Sequence, residues 1–234
     1  MSLAVAIEGK DGVVLAADSR GTIGDPRGLT AINDTQEKLF KLTARCGICL
    51  FGSGEIGVEL VRRIQAQITH KPQGDASVDE IEELVRGIAR KQYKDWFSLL
   101  DAQQRPVLGL VLAGIKRDNK PRSILFVSQL DFAPQPAVSG IMMGGIPQYA
   151  IYLTHRFYDR LQPVAKLANL AEYLISETAT QDPKVGGPIK IALITTDKGY
   201  EELTPKQVEH IHSRNTAQSQ ALREYFYKGP DNAK

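Results

Sequence analysis

Ser2, Asp18 and Arg20 are the first residues of the chain whose types and spacing could do chemistry. Once the preceding Met1 is removed, a serine at position 2 carries a free α-amine beside its hydroxyl. Such an amine has an unperturbed pKa of about 7.7–8.0, so it can take the hydroxyl proton and generate a nucleophile. Taken alone, Ser2 reads as a permissive N-terminus. An Asp and an Arg two residues apart near a strand end are ordinarily a solvated ion pair of little worth. The local pattern nevertheless brings the three together. Leu3, Val5 and Ile7 alternate on one strand and Val13, Leu15 and Ala17 on the next, joined at Lys10-Asp11-Gly12. A three-residue loop with Gly12 in the left-handed position pairs Gly9 with Val13, Ala4 with Asp18 and Ser2 with Arg20. Ser2, Asp18 and Arg20 then share the open end of the even-numbered face. A two-residue loop would shift the partner strand by one residue and mix the two faces.

Two other constellations compete for attention. Gly52-x-Gly54-x-x-Gly57 follows a strand and opens a helix, as a dinucleotide fingerprint does. The fingerprint needs a compact βαβ unit, whereas two helices intervene here before the next strand at Val107, and a tight strand-to-helix turn explains the glycines equally well. Cys46 and Cys49 form a C-x-x-C pair. Zinc would require a second pair or histidines at ligand spacing, yet His70, His155, His210 and His212 lie far away in sequence. The local context, Cys-Gly-Ile-Cys-Leu-Phe-Gly, reads as a strand, where residues three apart point to opposite faces, so two buried structural thiols are expected. No cofactor or metal is expected.

Several elements must position these groups. After the hairpin, Gly21 to Asp34 reads as a polar, glycine-bearing loop, followed by a strand pair at Lys38–Leu42 and Gly47–Phe51. Helical periodicity runs from Glu55 to about Ile68, closed by Pro72 and Gly74, and from about Val78 to Leu100. Strand character returns at 107–115, 123–129 and 137–143. Helices follow at about 147–160 and 164–180, then a strand at 189–195 and a helix whose N-cap is Thr204 and whose first residue is Pro205. Runs of strands followed by runs of helices indicate layered α+β architecture and count against an alternating parallel sheet.

The quoted segments carry a specific resemblance. Ser-Leu-Ala-Val-Ala-Ile, Lys-Asp-Gly-Val-Val-Leu-Ala-Ala-Asp-Ser-Arg, Glu-Lys-Leu-Phe-Lys-Leu, Gly-Ser-Gly-Glu opening a helix, and Ile-Thr-Thr-Asp-Lys-Gly-Tyr-Glu-Glu-Leu before a helix are similar to the β-type subunits of the proteasome family. The similarity spans roughly residues 2–212, without the helical extension that precedes the first strand of α-type subunits. It implies a single domain over 1–212 with a four-layer αββα sandwich, and an extension over 213–234 that is helical at first and frayed at its end. It also implies N-terminal-nucleophile hydrolysis of peptide or amide bonds and assembly into rings. Ser2 falls at the catalytic threonine of that family. Asp18 and Lys38 match its carboxylate and lysine, Arg20 the arginine that follows, Gly52 the oxyanion donor and Asp182 a site aspartate. In that site Lys38, held by Asp18, favours the unprotonated amine. Two matches fail: Gly144 stands where a supporting serine is usual, and Val185 replaces another. The resemblance therefore leaves two outcomes, a peptidase and a ring-forming structural subunit with an impaired site. It also places Arg45 and Cys49 near the substrate side-chain pocket. With no propeptide before Ser2, exposure of the amine is expected to depend on trimming of Met1.

Composition agrees with this reading. The chain has 234 residues, 42% hydrophobic, with 29 basic against 27 acidic side chains and a net charge of +2. That balance lacks the basic excess that nucleic-acid binding requires. The most apolar run, Val107–Ile115, falls well short of the roughly 20 residues that span a bilayer, and the N-terminus lacks a basic region before an apolar stretch. A soluble, cytoplasmic protein is expected, with copies of itself, peptide or unfolded-protein substrate and an ATPase unfoldase as the implied partners.

Overall fold

Successive side chains of the first strand, β1 (Leu3–Gly9), enter two different cores, and that alternation sets the layering. The computed structural model describes residues 2–25, 28–69 and 75–227. Leu3, Val5 and Ile7 pack outward, with Val14 and Ala16 of β2 (Gly12–Ala17), against a helical layer. Ala4 and Ala6 point inward with Val13, Leu15 and Ala17 toward a second sheet. Small side chains on the inner face allow the two sheets to approach closely; larger ones there would overpack the space.

The first sheet runs β10 (Ile141–Gly145), β1, β2, β11 (Lys190–Thr195), β12 (Gly199–Glu202). The second runs β5 (Leu39–Lys41), β6 (Cys46–Gly52), β7 (Leu108–Ile115), β8 (Pro121–Val127), β9 (Gln135–Pro136). Every pairing within them is antiparallel. Helices α1 (Gly54–Thr69) and α2 (Val78–Trp96) cover the outer face of the second sheet through Leu60, Val61, Ile64, Ile81 and Val85. Helices α3 (Gln148–Phe157) and α4 (Val164–Gln181) cover the first, with Val208 and Ile211 of α5 (Pro205–Tyr227) packed beside them. The result is the expected four-layer αββα sandwich.

Four expectations change. The β1–β2 hairpin pairs Gly9 with Gly12 and Ala4 with Ala17, so its loop is the two-residue Lys10-Asp11, not a three-residue one. Both faces of these strands are buried, so either register satisfies the hydrophobic pattern and alternation cannot select one. Gly12 is glycine because β11 crosses close by: a Cβ there would lie 2.2 Å from the Ile194 carbonyl oxygen. The stretch read as a loop contains a second hairpin, β3 (Gly21–Asp25) with β4 (Gly28–Asn33). The strand expected at 137–143 begins instead at Ile141, and the helix expected to reach Leu100 ends at Trp96.

Thr204 does cap α5: its Oγ1 accepts the Gln207 N–H at 3.4 Å while Gln207 Oε1 accepts the Thr204 N–H at 2.8 Å. That helix runs unbroken past residue 212, where the extension was expected to begin. Met1, Pro72, Gly74 and the tail 228–234 lie outside the described residues.

Candidate functional site

The site is built on the first residues of β1. Ser2 is held by its main chain: the Ile146 N–H donates to its carbonyl at 2.9 Å, just past the end of β10. Leu3 pairs with Gly145 on one side and faces Asp18 on the other. Gly145 has φ +97°, and a Cβ there would come within 1.8 Å of the Ser2 carbonyl oxygen. This position must be glycine for β10 to run so close.

Asp18, fully buried, accepts four hydrogen bonds. Oδ1 takes the Leu3 N–H at 3.1 Å and Lys38 Nζ at 2.9 Å. Oδ2 takes the Arg20 N–H at 3.1 Å and the Gly186 N–H at 3.1 Å. Lys38, only 2% exposed, donates a second bond to the Arg20 carbonyl at 2.6 Å. Burial pulls the pKa of this ammonium below its usual value, and the Asp18 carboxylate opposes that fall. A buried lysine keeps its charge only beside such a partner.

Arg20 forks onto Asp34, Nε to Oδ1 at 2.7 Å and Nη2 to Oδ2 at 2.9 Å, while Nη1 reaches the Pro183 carbonyl at 3.2 Å. These two-pronged bonds raise the guanidinium's pKa and hold the Asp34 carboxyl below the usual carboxylate range. Gly52 ends β6 with φ +92°, and a Cβ there would lie 2.3 Å from the Val107 carbonyl oxygen, so both the turn and the close approach require glycine. Ser2, Arg20, Gly52, Ser53, Gly54 and Gln36 line a cleft of about 640 Å³.

The structure thus brings Ser2, Asp18, Arg20, Lys38 and Gly52 to one end of the sandwich. Asp182 does another job: it follows α4, and its Oδ1 accepts the Lys184 N–H at 2.8 Å, shaping the turn that carries Pro183 and Gly186. Val185 is buried in the α4 core. Gly144 has its own local cause, since a Cβ there would lie 2.2 Å from the Phe51 ring. The residues that meet the Ser2 carbonyl are instead its neighbours Gly145 and Ile146.

Arg45 and Cys49 do not line the cleft. Cys49 is buried between the sheets, its Sγ 3.7 Å from the Ala16 carbonyl, and Arg45 bonds Lys116 and Asn119. Cys46 points to the opposite face, among the α1–α2 residues, as the strand reading required. The nucleotide fingerprint also fails, because β6 and β7 are antiparallel. Gly57 is glycine for packing, with Leu108 and Leu50 side chains 3.1 and 3.2 Å from where its Cβ would be. Among the described residues no group of three or more His, Cys, Asp or Glu could hold a metal. His212 instead places Nδ1 2.7 Å from Glu172 Oε1. Ser176 contacts the same Nδ1 at 3.3 Å, so this Ser–His–Glu cluster lacks the two-sided imidazole of a catalytic relay and serves to dock α5.

Sequence reasoning missed Asp34 and Gly186. Asp34 sat in a stretch read as loop, and its partner Arg20 was read as facing Ser2. The Gly186-Gly187 doublet was the available signal for a close backbone approach.

Comparison with known proteins places the chain. The Proteasome subunit model matches residues 2–194. No curated protein matches. Among solved structures, Anbu of Pseudomonas aeruginosa, described as a helical assembly of the Anbu complex, superposes with TM-score 0.79 at 17% identity, covering 99% of this chain and 100% of that one. Anbu (ancestral beta-subunit) of Yersinia bercovieri gives 0.75 at 16%, covering 97% and 98%. Anbu of Hyphomicrobium sp. strain MC1 gives 0.70 at 17%, covering 99% and 100%. At these identities the three share its fold; the match over residues 2–194 goes further, and the chain belongs to the proteasome subunit family.

Proposed function

We propose that the chain is an N-terminal-nucleophile peptidase of the proteasome kind, with Ser2 as nucleophile after removal of Met1. The observation that carries this reading is the buried Asp18–Lys38 pair, whose shared carboxylate also binds the amide of Leu3, the residue joined to Ser2. The Ser2 hydroxyl oxygen attacks the substrate carbonyl while its proton passes to the Ser2 α-amine. The Lys38 charge disfavours a second cation nearby and keeps that amine unprotonated before attack. The oxyanion forms at the Gly52 N–H, a type of donor that contributes about 2.7–4 kcal/mol in acyl transfer. Collapse breaks the C–N bond, the leaving amine takes the proton from the α-ammonium, and water hydrolyses the Ser2 ester. The site residues proposed are Ser2, Asp18, Arg20, Lys38 and Gly52, with Asp182 supporting through its turn.

Substrates in this reading are peptides and unfolded segments. Copies of the chain assemble with one another, a use for the exposed Tyr149, Tyr152 and Phe157 of α3 and Tyr225, Phe226 and Tyr227 of α5. Closed assemblies need unfolded chains fed into them, the role for an ATPase unfoldase. No helix among the described residues is long and apolar enough to cross a membrane, and a cytoplasmic setting is part of the proposal.

One observation favours a second reading, a structural subunit with an impaired site. Gly145 meets Ser2 where it has no hydroxyl to offer, and Gly144 and Val185 are packed against Phe51 and the α4 core. The two are separated by intact mass, a fluorogenic peptide assay and an epoxyketone probe. Loss of Met1, hydrolysis abolished in Ser2→Ala and a stoichiometric adduct at Ser2 support the peptidase. A retained Met1 or an unreactive free Ser2 supports the structural subunit.

A further inference from the structure

Arg20 touches both halves of the buried ion pair with its main chain. Its N–H donates to Asp18 Oδ2 and its carbonyl accepts Lys38 Nζ. Any shift of this one peptide segment therefore loosens Asp18 and Lys38 together. The segment is anchored on both sides, by Ser19, whose N–H donates to the Gly186 carbonyl and whose carbonyl accepts the Gln36 N–H, each at 3.0 Å, and by Gly21, which starts β3. The side chain of Arg20 is the remaining lever on its main chain.

We propose that Asp34 is a positioning residue of the Ser2 site: by clamping the Arg20 guanidinium with both carboxylate oxygens, it fixes the Arg20 main chain on which the Asp18–Lys38 geometry depends. The proposal rests on the reading of Ser2 as nucleophile. An exposed Arg–Asp pair is commonly worth little because two long side chains must be ordered. Here the ordering is already imposed. The remaining guanidinium nitrogen is engaged by the Pro183 carbonyl, and Gly186 and Gly187 press on the two partners. A Cβ at Gly186 would lie 2.6 Å from Arg20 Cζ, and one at Gly187 would lie 3.0 Å from Asp34 Cβ. The same Gly186 donates its N–H to Asp18. One turn thus packs against the clamp and ligates the carboxylate behind it. The fork is geometrically specific, so a longer or neutral side chain at position 34 holds Arg20 less well. Asp34 also acts through space, since its charge favours the protonated form of Lys38.

The test combines an activity measurement with one independent of activity. In ¹⁵N-lysine-labelled protein the buried Lys38 ammonium gives a slowly exchanging signal, assigned by its loss in Lys38→Arg. Asp34→Ala is expected to broaden or remove that signal while the far-UV spectrum stays native. The peptidase kcat is expected to fall by about ten- to a hundred-fold with KM little changed, as for misplacement of a catalytic group by about 1 Å. Asp34→Glu, which keeps the charge, is expected to recover part of both readouts. An unchanged Lys38 signal in Asp34→Ala overturns the proposal, whatever the activity. Should Asp34→Ala not fold, Asp34→Asn is read the same way. If wild type has no peptidase activity, the functional reading fails, and the Lys38 signal alone decides whether Asp34 positions the pair.

Discussion

Leu3 and Asp18 exchange two hydrogen bonds across β1 and β2, the Leu3 N–H to Asp18 Oδ1 at 3.1 Å and the Asp18 N–H to the Leu3 carbonyl at 3.3 Å. The side chain thereby repeats what a strand partner's main chain would do, and it pins the residue next to Ser2 onto the carboxylate that holds Lys38. Removing that carboxylate should be among the most disruptive single changes in the chain. Asp18→Ala leaves a buried ammonium without its partner, a kind of loss that costs about 3–5 kcal/mol. Asp18→Asn keeps the shape, but its amide nitrogen must face two donors that the carboxylate now accepts. Urea denaturation should show both variants destabilised, Asp18→Ala more so, with hydrolysis lost in each.

How much of this was legible in the sequence depended on whether a pattern had a solvent reference. The layered α+β class followed from the order of strands and helices, whereas the four layers and the candidate set of Ser2, Asp18, Lys38 and Gly52 came from the segments shared with the family. The β1–β2 register was not legible, because Ala4, Leu15 and Val14 are buried whichever face they take. The β3–β4 hairpin escaped because Gly21, Gly24 and Gly28 carry no alternating apolar signal. Asp34 escaped because a fork to Arg20 is a tertiary fact: fourteen residues and a hairpin separate the partners. Gly144 was read as a lost hydroxyl, whereas the ring of Phe51 explains it as a packing requirement.

That ring supplies the second prediction. Gly144→Ser should destabilise the protein by about 1–3 kcal/mol through overpacking, because Phe51 is buried and also lies against Gly109. Phe51→Ala alone should cost about 3–5 kcal/mol. In the double variant the serine occupies space the ring has left, so the two penalties should fall short of their sum. A double-mutant cycle from chemical denaturation measures that coupling; strict additivity would mean that Phe51 does not exclude a side chain at position 144.

The docking of α5 gives a third. Glu172 on α4 is fully buried and gathers the Ser176 hydroxyl, His212 Nδ1 and the Asn215 amide, the last two from α5. No residue of α5 is itself buried, so this carboxylate carries an unusual share of the attachment. Glu172→Ala should remove three hydrogen bonds of about 0.5–1.5 kcal/mol each, because the exposed His212 and part-buried Ser176 and Asn215 can turn to water. Hydrogen exchange should quicken across 205–227 while the protection of β1 and β7 is retained. Uniform loss of protection throughout the sandwich would instead show that α5 and the core open as one unit.

The two thiols give the last, and its sign follows from burial. Cys46 is pushed up to about 12 from 9.0 by desolvation, and Cys49, buried beside Asp18, is raised as well. In the unfolded chain both thiols ionise near 9.0, so above that pH the unfolded state holds fewer protons than the folded state. Stability contributed by the neutral thiols is therefore complete below 9.0 and declines as pH rises toward 12. Each thiol adds a slope of at most about 1.4 kcal/mol per pH unit in that window. Urea unfolding on either side of 9.0 should show the decline, and Cys46→Ala, although less stable overall, should show a shallower one. A thiol reagent applied below that pH should leave native protein unmodified and label Cys46 and Cys49 together on denaturation, since ionisation and access both require that the strands separate. Rapid labelling of native protein would show that β6 opens on its own, and with it the edge of the cleft that Gly52 lines.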